Sequence, residues 1–130
     1  MEPGAWRIEV SPKSAAAENL FLNVMQVSDR ENDAPWPVRQ LETKDRVGCV
    51  IVGPTVSWLT LFRRDATRST PEVRFTVPGS NPCRVLVTDL TPGRWHAERA
   101  EAGGAIDLEV TAEAGAAWIE AEAGDWTLSR

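Results

Sequence analysis

The sequence predicts an all-β protein, an antiparallel two-sheet β-sandwich of about ten strands. Three observations predict it. Short segments that alternate apolar and polar residues recur about every 8–12 positions, the spacing of a sandwich or barrel. Clusters of Pro, Gly, Asn and Ser punctuate them as turns. No segment keeps a helical period: Ala15-Ala16-Ala17-Glu18 supports one turn and no more, because a helix nucleus is costly. Strands this short and this many bury one face only by packing sheet against sheet.

The elements follow in order. Trp6, Ile8 and Val10 alternate with Arg7 and Glu9, so Ala5–Val10 reads as a half-buried strand. Leu20–Val27 is apolar on both faces apart from Asn23 and Gln26, the composition of a central strand covered on both sides. Ser28–Pro37 is a polar loop. Val38–Thr43 and Val47–Val52 pair across Lys44-Asp45-Arg46 as a hairpin. Val56–Phe62 has period two: Val56, Trp58, Thr60 and Phe62 share one face, and Ser57, Leu59 and Leu61 the other. Arg63–Pro71 is a basic loop. Glu72–Val77 points Val73, Phe75 and Val77 inward. Cys83–Thr88 follows the turn cluster Pro78-Gly79-Ser80-Asn81-Pro82. In Asp89-Leu90-Thr91-Pro92-Gly93 the proline presets φ and the glycine supplies a positive φ. Arg94–Ala100 places Trp95, Ala97 and Arg99 on one face, and Gly103-Gly104 turns into a strand through Ile106, Leu108 and Val110. Ala116–Ala121 and Trp126–Ser129 complete the set.

A chain of 130 residues is one domain by size. No apolar run approaches the ~20 residues of a membrane span, so a membrane partner is not expected. Glu2-Pro3-Gly4 leads at once into a strand-like segment without a secretory leader, and we expect a fragment of a larger chain. Net charge is −5 and uneven: residues 60–100 carry 7 basic and 4 acidic side chains, and residues 101–130 carry 1 basic and 7 acidic. The acidic end argues against nucleic acid, which rewards a basic stripe. The arginines of the middle segment, Arg63, Arg64, Arg68, Arg74 and Arg84, are the only group placed to attract a polyanion.

Catalytic chemistry is thinly provided. There is no Tyr, and His96 is the single histidine. A Ser–His–Asp arrangement would have to recruit His96, yet no serine carries nucleophile-elbow glycines. His96 is expected on the surface, pointing away from Trp95. Asp29, Glu31 and Asp33 alternate in one loop and offer oxygens of the kind Ca²⁺ takes, though without the glycine and distal glutamate of an EF-hand; a solvated acidic loop is the plainer reading. Cys49 reads as a small buried hydrophobe, and a Cys49–Cys83 bridge stays open because it depends on Cα spacing. Of six tryptophans, Trp6, Trp58 and Trp118 lie among apolar neighbours and read as core. Trp95 fits core or rim, Trp126 caps the sandwich, and Trp36, between Pro35 and Pro37, is either exposed or folded back on a sheet edge.

Trp6-Arg7-Ile8-Glu9-Val10-Ser11-Pro12, Asn19–Val27, the strands Val47–Val52 and Leu59–Phe62, and the Leu90-Thr91-Pro92-Gly93-Arg94-Trp95 hairpin together resemble the C-terminal β region of bacterial heparinase II/III-like polysaccharide lyases. The resemblance implies a parent with a helical toroid and a large antiparallel β region, working in the periplasm or outside the cell. Its catalytic Tyr, His, Asn and Arg lie elsewhere in that parent; with no Tyr here, none of that set carries over. What it implies for this chain is a non-catalytic carbohydrate-binding or accessory module, with a uronate-rich polysaccharide and the parent's catalytic domains as partners. The candidate ligand contacts are Trp36 and Trp95, which would stack on rings, and Arg63 and Arg64, which would pair with carboxylates. No metal or cofactor is expected. The alternatives are a purely structural packing or oligomerisation domain, favoured by an exposed apolar patch, and a small hydrolase, which needs an ordered pocket around His96.

Overall fold

The computed structural model describes residues 9–14, 17, 19–27, 34–65, 70–101 and 105–130. Nine strands lie among them: β1 (Val38–Glu42), β2 (Arg46–Ile51), β3 (Ser57–Arg63), β4 (Glu72–Val77), β5 (Cys83–Val87), β6 (Gly93–Arg99), β7 (Ala105–Val110), β8 (Ala117–Ala121) and β9 (Gly124–Ser129). They form a five-stranded sheet, β1-β2-β3-β5-β8, and a four-stranded sheet, β4-β9-β6-β7. The all-β sandwich expectation holds. One pairing departs from an antiparallel pattern: β3 and β5 run parallel. The chain leaves the larger sheet after β3, runs through β4 in the smaller one, and returns as β5 with its direction restored by the second reversal.

Alternation sets the core. Val50, Leu59, Leu61, Val85, Val87 and Ile119 point inward from the larger sheet, and Val73, Phe75, Val77, Trp95, Trp126 and Leu128 meet them from the smaller. Trp95 is 0% exposed, and its indole N–H donates to the Thr91 carbonyl at 2.8 Å. Trp126 is buried in the same way, donating to the Glu122 carbonyl at 2.9 Å. Each large ring therefore enters the core with its one polar group satisfied. Gly48 is required by close approach: a Cβ there would stand 1.8 Å from the Thr60 carbonyl oxygen. Gly93 has φ 131°, as its turn demands, and Asp89, four residues earlier, is the one non-glycine residue with positive φ among the described residues.

Two expectations are corrected, and one open alternative is decided. Leu20–Val27 is not a covered strand: no strand pairing is assigned to it, and its large side chains are exposed. It lies along the outward face of β1–β3, where Leu20, Phe21, Leu22 and Val24 line a groove with Val38, Val47, Cys49 and Phe62. Both layers of the sandwich are already filled by β1–β9, so a further doubly covered strand has no place between them. Trp118 is not core but 62% exposed, and Trp58 is only half-buried. Both sit on the outward row of the larger sheet, opposite in phase to Leu59 and Ile119. Cys49 and Cys83 are both buried and free. Cys83 faces the core while Cys49 lines the outward groove, so the sheet itself separates them. Burial pushes the Cys83 thiol up to about 11. The expected strand Ala5–Val10, the Asp29/Glu31/Asp33 loop and the Gly103-Gly104 turn fall wholly or largely outside the described residues.

A polar cluster closes one end of the sandwich. Arg46 is buried, and its guanidinium donates to the Thr88 carbonyl. Burial lowers its pKa, opposed by the charges of Asp45 and Asp89. Asp45 accepts from the Thr70 hydroxyl at 2.9 Å, and its carbonyl accepts from the Arg64 amide at 2.9 Å. The Asp89 carboxylate accepts from the Thr88 hydroxyl at 2.7 Å and the Arg63 amide at 3.0 Å. Partial burial works against the charged form of Asp89, yet these two hydrogen bonds and the Arg63 and Arg46 charges outweigh it and hold its carboxyl below the usual range.

Two outcomes are expected. Trp95→Ala should cost about 3–5 kcal/mol in denaturant unfolding, whereas Trp118→Ala should change stability by no more than about 0.5 kcal/mol. Because the folded pKa of Asp89 lies below its unfolded value, its contribution is present above the unfolded value and lost as pH falls through the folded one. Asp89→Asn should therefore lower the thermal midpoint at neutral pH and flatten its fall in acid, below about pH 4; an unaltered acid profile would show that Asp89 contributes nothing.

Candidate functional site

The four candidate contacts are not gathered at one place, although Arg63 borders the groove on the sheet face that carries the Trp36–Trp58 stack. Trp95 is enclosed in the core and offers no ring face to a ligand. Trp36 precedes β1 and is exposed on one side. Its other face stacks on Trp58, with ring centroids 5.2 Å apart and planes 9° from parallel. Gln26 fixes it there, donating to the Trp36 carbonyl and accepting from the Trp36 amide, both at 2.9 Å. Arg63 ends β3, five residues from Trp58 and so roughly 16 Å along the strand. It is half-buried beside the polar cluster. Arg64 follows it and is paired with Glu42 at 2.8 Å.

His96 lies exposed on the outward face of the smaller sheet, as expected, with its Nδ1 against Asp107. The register sets Ser129 on its other side, so Ser129, His96 and Asp107 form a row across β9, β6 and β7. Side-chain order alone does not make this a hydrolase. The row stands on an open sheet, where strand N–H groups belong to the ladder and cannot converge on an oxyanion. Among the described residues no group of three or more His, Cys, Asp or Glu is arranged to hold a metal ion. No helix among them is long and apolar enough to cross a membrane.

The outward face of the larger sheet holds the more informative arrangement, and sequence reasoning passed over it. On the β3–β5–β8 half, Trp58, Arg84, Trp118, Ile119 and Glu120 line a cleft of about 330 Å³. Arg84 stands between Trp58 and Glu120 in register, and Trp118 pairs with Leu86 one step along. On the β1–β2–β3 half, the apolar groove beneath Leu20–Val24 has a volume of about 490 Å³. The signal for the cleft was present in the strand phases. Trp58 shares a face with Thr60 and Phe62, opposite to Leu59 and Leu61, and Trp118 alternates with Ala117 and Ile119. Where both faces of a strand are apolar, that phase does not say which face is inside.

A search of curated proteins gives no match to this chain. A family model described as the heparinase II C-terminal domain matches residues 40–130, which takes in β2 to β9 and most of β1 and leaves the Leu20–Val27 segment outside. The all-β sandwich, the Pro-Gly hairpin that delivers Trp95 to the core and a match over well over half the chain agree: the protein belongs to the heparinase II C-terminal domain family.

Proposed function

We propose that the chain is a non-catalytic accessory module of a polysaccharide-degrading enzyme, exported with it, and that its role is to pack against an adjoining β domain of that enzyme. One observation carries this reading. Leu20, Phe21, Leu22, Val24, Met25 and Val27 are exposed together on one segment outside any strand, Met25 and Val27 at 89% and 94%. Each such side chain gains roughly 1.5–3 kcal/mol when fully buried, and a contiguous apolar patch marks an interaction surface.

The occupant is argued from the segment itself. It lies outside the family-matched residues, so the domain's own core does not account for it. Apolar on both faces and open along its backbone, it suits addition to a sheet edge that is covered on both sides. An adjoining β domain of the kind this family implies supplies such an edge. A carbohydrate role through Trp36, Trp95, Arg63 and Arg64 has less support, since those residues lie apart.

The test compares the intact chain with Leu20→Asp/Val24→Asp. The intact chain should bind a hydrophobic dye and self-associate in sedimentation. The variant should be monomeric, lose most of the dye signal, and still unfold cooperatively. An intact chain that is monomeric and silent to the dye would refute the packing role.

A further inference from the structure

The cleft between Trp58 and Trp118 is not needed for packing through Leu20–Val27, which uses the other half of the same sheet face. Its composition is unusual for an outward sheet surface. Trp118, on the edge strand β8, has no hydrogen-bond or ring partner among the described residues. Trp58 is held at a fixed tilt by the Trp36 stack. Beside the two indoles Arg84 and Glu120 approach to 4.0 Å, too long for a hydrogen bond, with side chains 57% and 89% exposed. A surface ion pair so loose contributes little to stability, and an exposed tryptophan contributes less than a buried one. The group is better explained by a ligand.

The chemistry selects the ligand. Indole faces match the C–H face of a pyranose ring, an amphipathic plate with hydroxyls at its rim. Arg84 presents N–H donors and Glu120 an acceptor, side by side. Two neighbouring hydroxyls answer both at once, one accepting from the guanidinium and one donating to the carboxylate. A sugar carboxylate fits less well: Arg84 alone would take it in a fork, but Glu120 beside it repels the charge. We propose that this cleft is a pyranose-binding subsite, recognising a neutral sugar unit of a polysaccharide through its C–H face and a pair of hydroxyls. This does not rest on the packing role and can stand without it.

The test is affinity electrophoresis of the whole chain through gels containing soluble neutral polymers (glucan, mannan, galactan, xylan) or uronans (polygalacturonate, alginate), with tryptophan fluorescence as a second readout. At least one neutral polymer should retard the chain and shift its fluorescence. Trp118→Ala should weaken that binding about tenfold or more, equivalent to ~1.4 kcal/mol, with an unchanged thermal midpoint. Glu120→Ala should weaken it as well. Leu20→Asp/Val24→Asp should leave it intact, which separates this site from the packing surface. No retardation by any neutral polymer, retardation by uronans alone, or full binding by Trp118→Ala would each overturn the proposal.

Discussion

Side chains alternate strictly across a β-strand, so a sandwich core draws on one residue in two and leaves the other row to find its own use. In the smaller sheet that second row is charged: Glu72, Arg74, His96, Glu98 and Asp107 face outward. In the larger sheet it is largely apolar, with Glu42, Arg84 and Glu120 toward its two edges. Val38, Val47, Cys49, Phe62, Trp58, Leu86 and Trp118 line the outward side, opposite Val50, Leu59, Val85 and Ile119 within. The sandwich closes on one face of this sheet, and the other keeps a mainly apolar surface outside the core. The packing surface and the tryptophan cleft are two parts of that single remainder, divided by the Trp36–Trp58 stack.

This also explains what was legible in the sequence. Glu72–Val77 and Arg94–Ala100 alternate apolar with charged residues, and there the inward face was correctly read as Val73, Phe75 and Val77 and as Trp95 and Ala97. The nine observed strands match nine of the expected ones closely. Trp58 and Trp118 were misread for the opposite reason: apolar neighbours on both sides leave the phase of burial undetermined, and bulk suggests the core. Leu20–Val27 was misread as a strand because doubly apolar composition does not by itself supply a ladder partner. The parallel β3–β5 pairing depends on a strand of the other sheet intervening, a matter of connectivity that no local pattern records.

The end cluster around Arg46 shows what a buried charge requires in such a fold. Its cation is taken into the sandwich between chain segments 42 residues apart, Arg46 and the Thr88 carbonyl. Asp45 and Asp89 offset the loss of hydration. The same two carboxylates receive the Thr70 and Thr88 hydroxyls and the Arg63 amide. The cluster thereby ties the β1–β2 turn to the exits of β3 and β5. It also takes in the backbone of Arg63, whose amide donates to Asp89, while the residue itself borders the groove on the outward face.

The order of the smaller sheet bears on how the domain is made. β9 lies between β4 and β6, and β4 has no other neighbour in that sheet. Until Gly124–Ser129 arrives, β4 has no ladder partner, and Phe75 and Val73 lack the Trp126 and Leu128 opposite them. On a ribosome adding about 5–20 residues per second, the earlier strands must wait as a partly assembled sheet, with an apolar surface open to other chains. The smaller sheet is thus completed by the last of the nine strands in chain order.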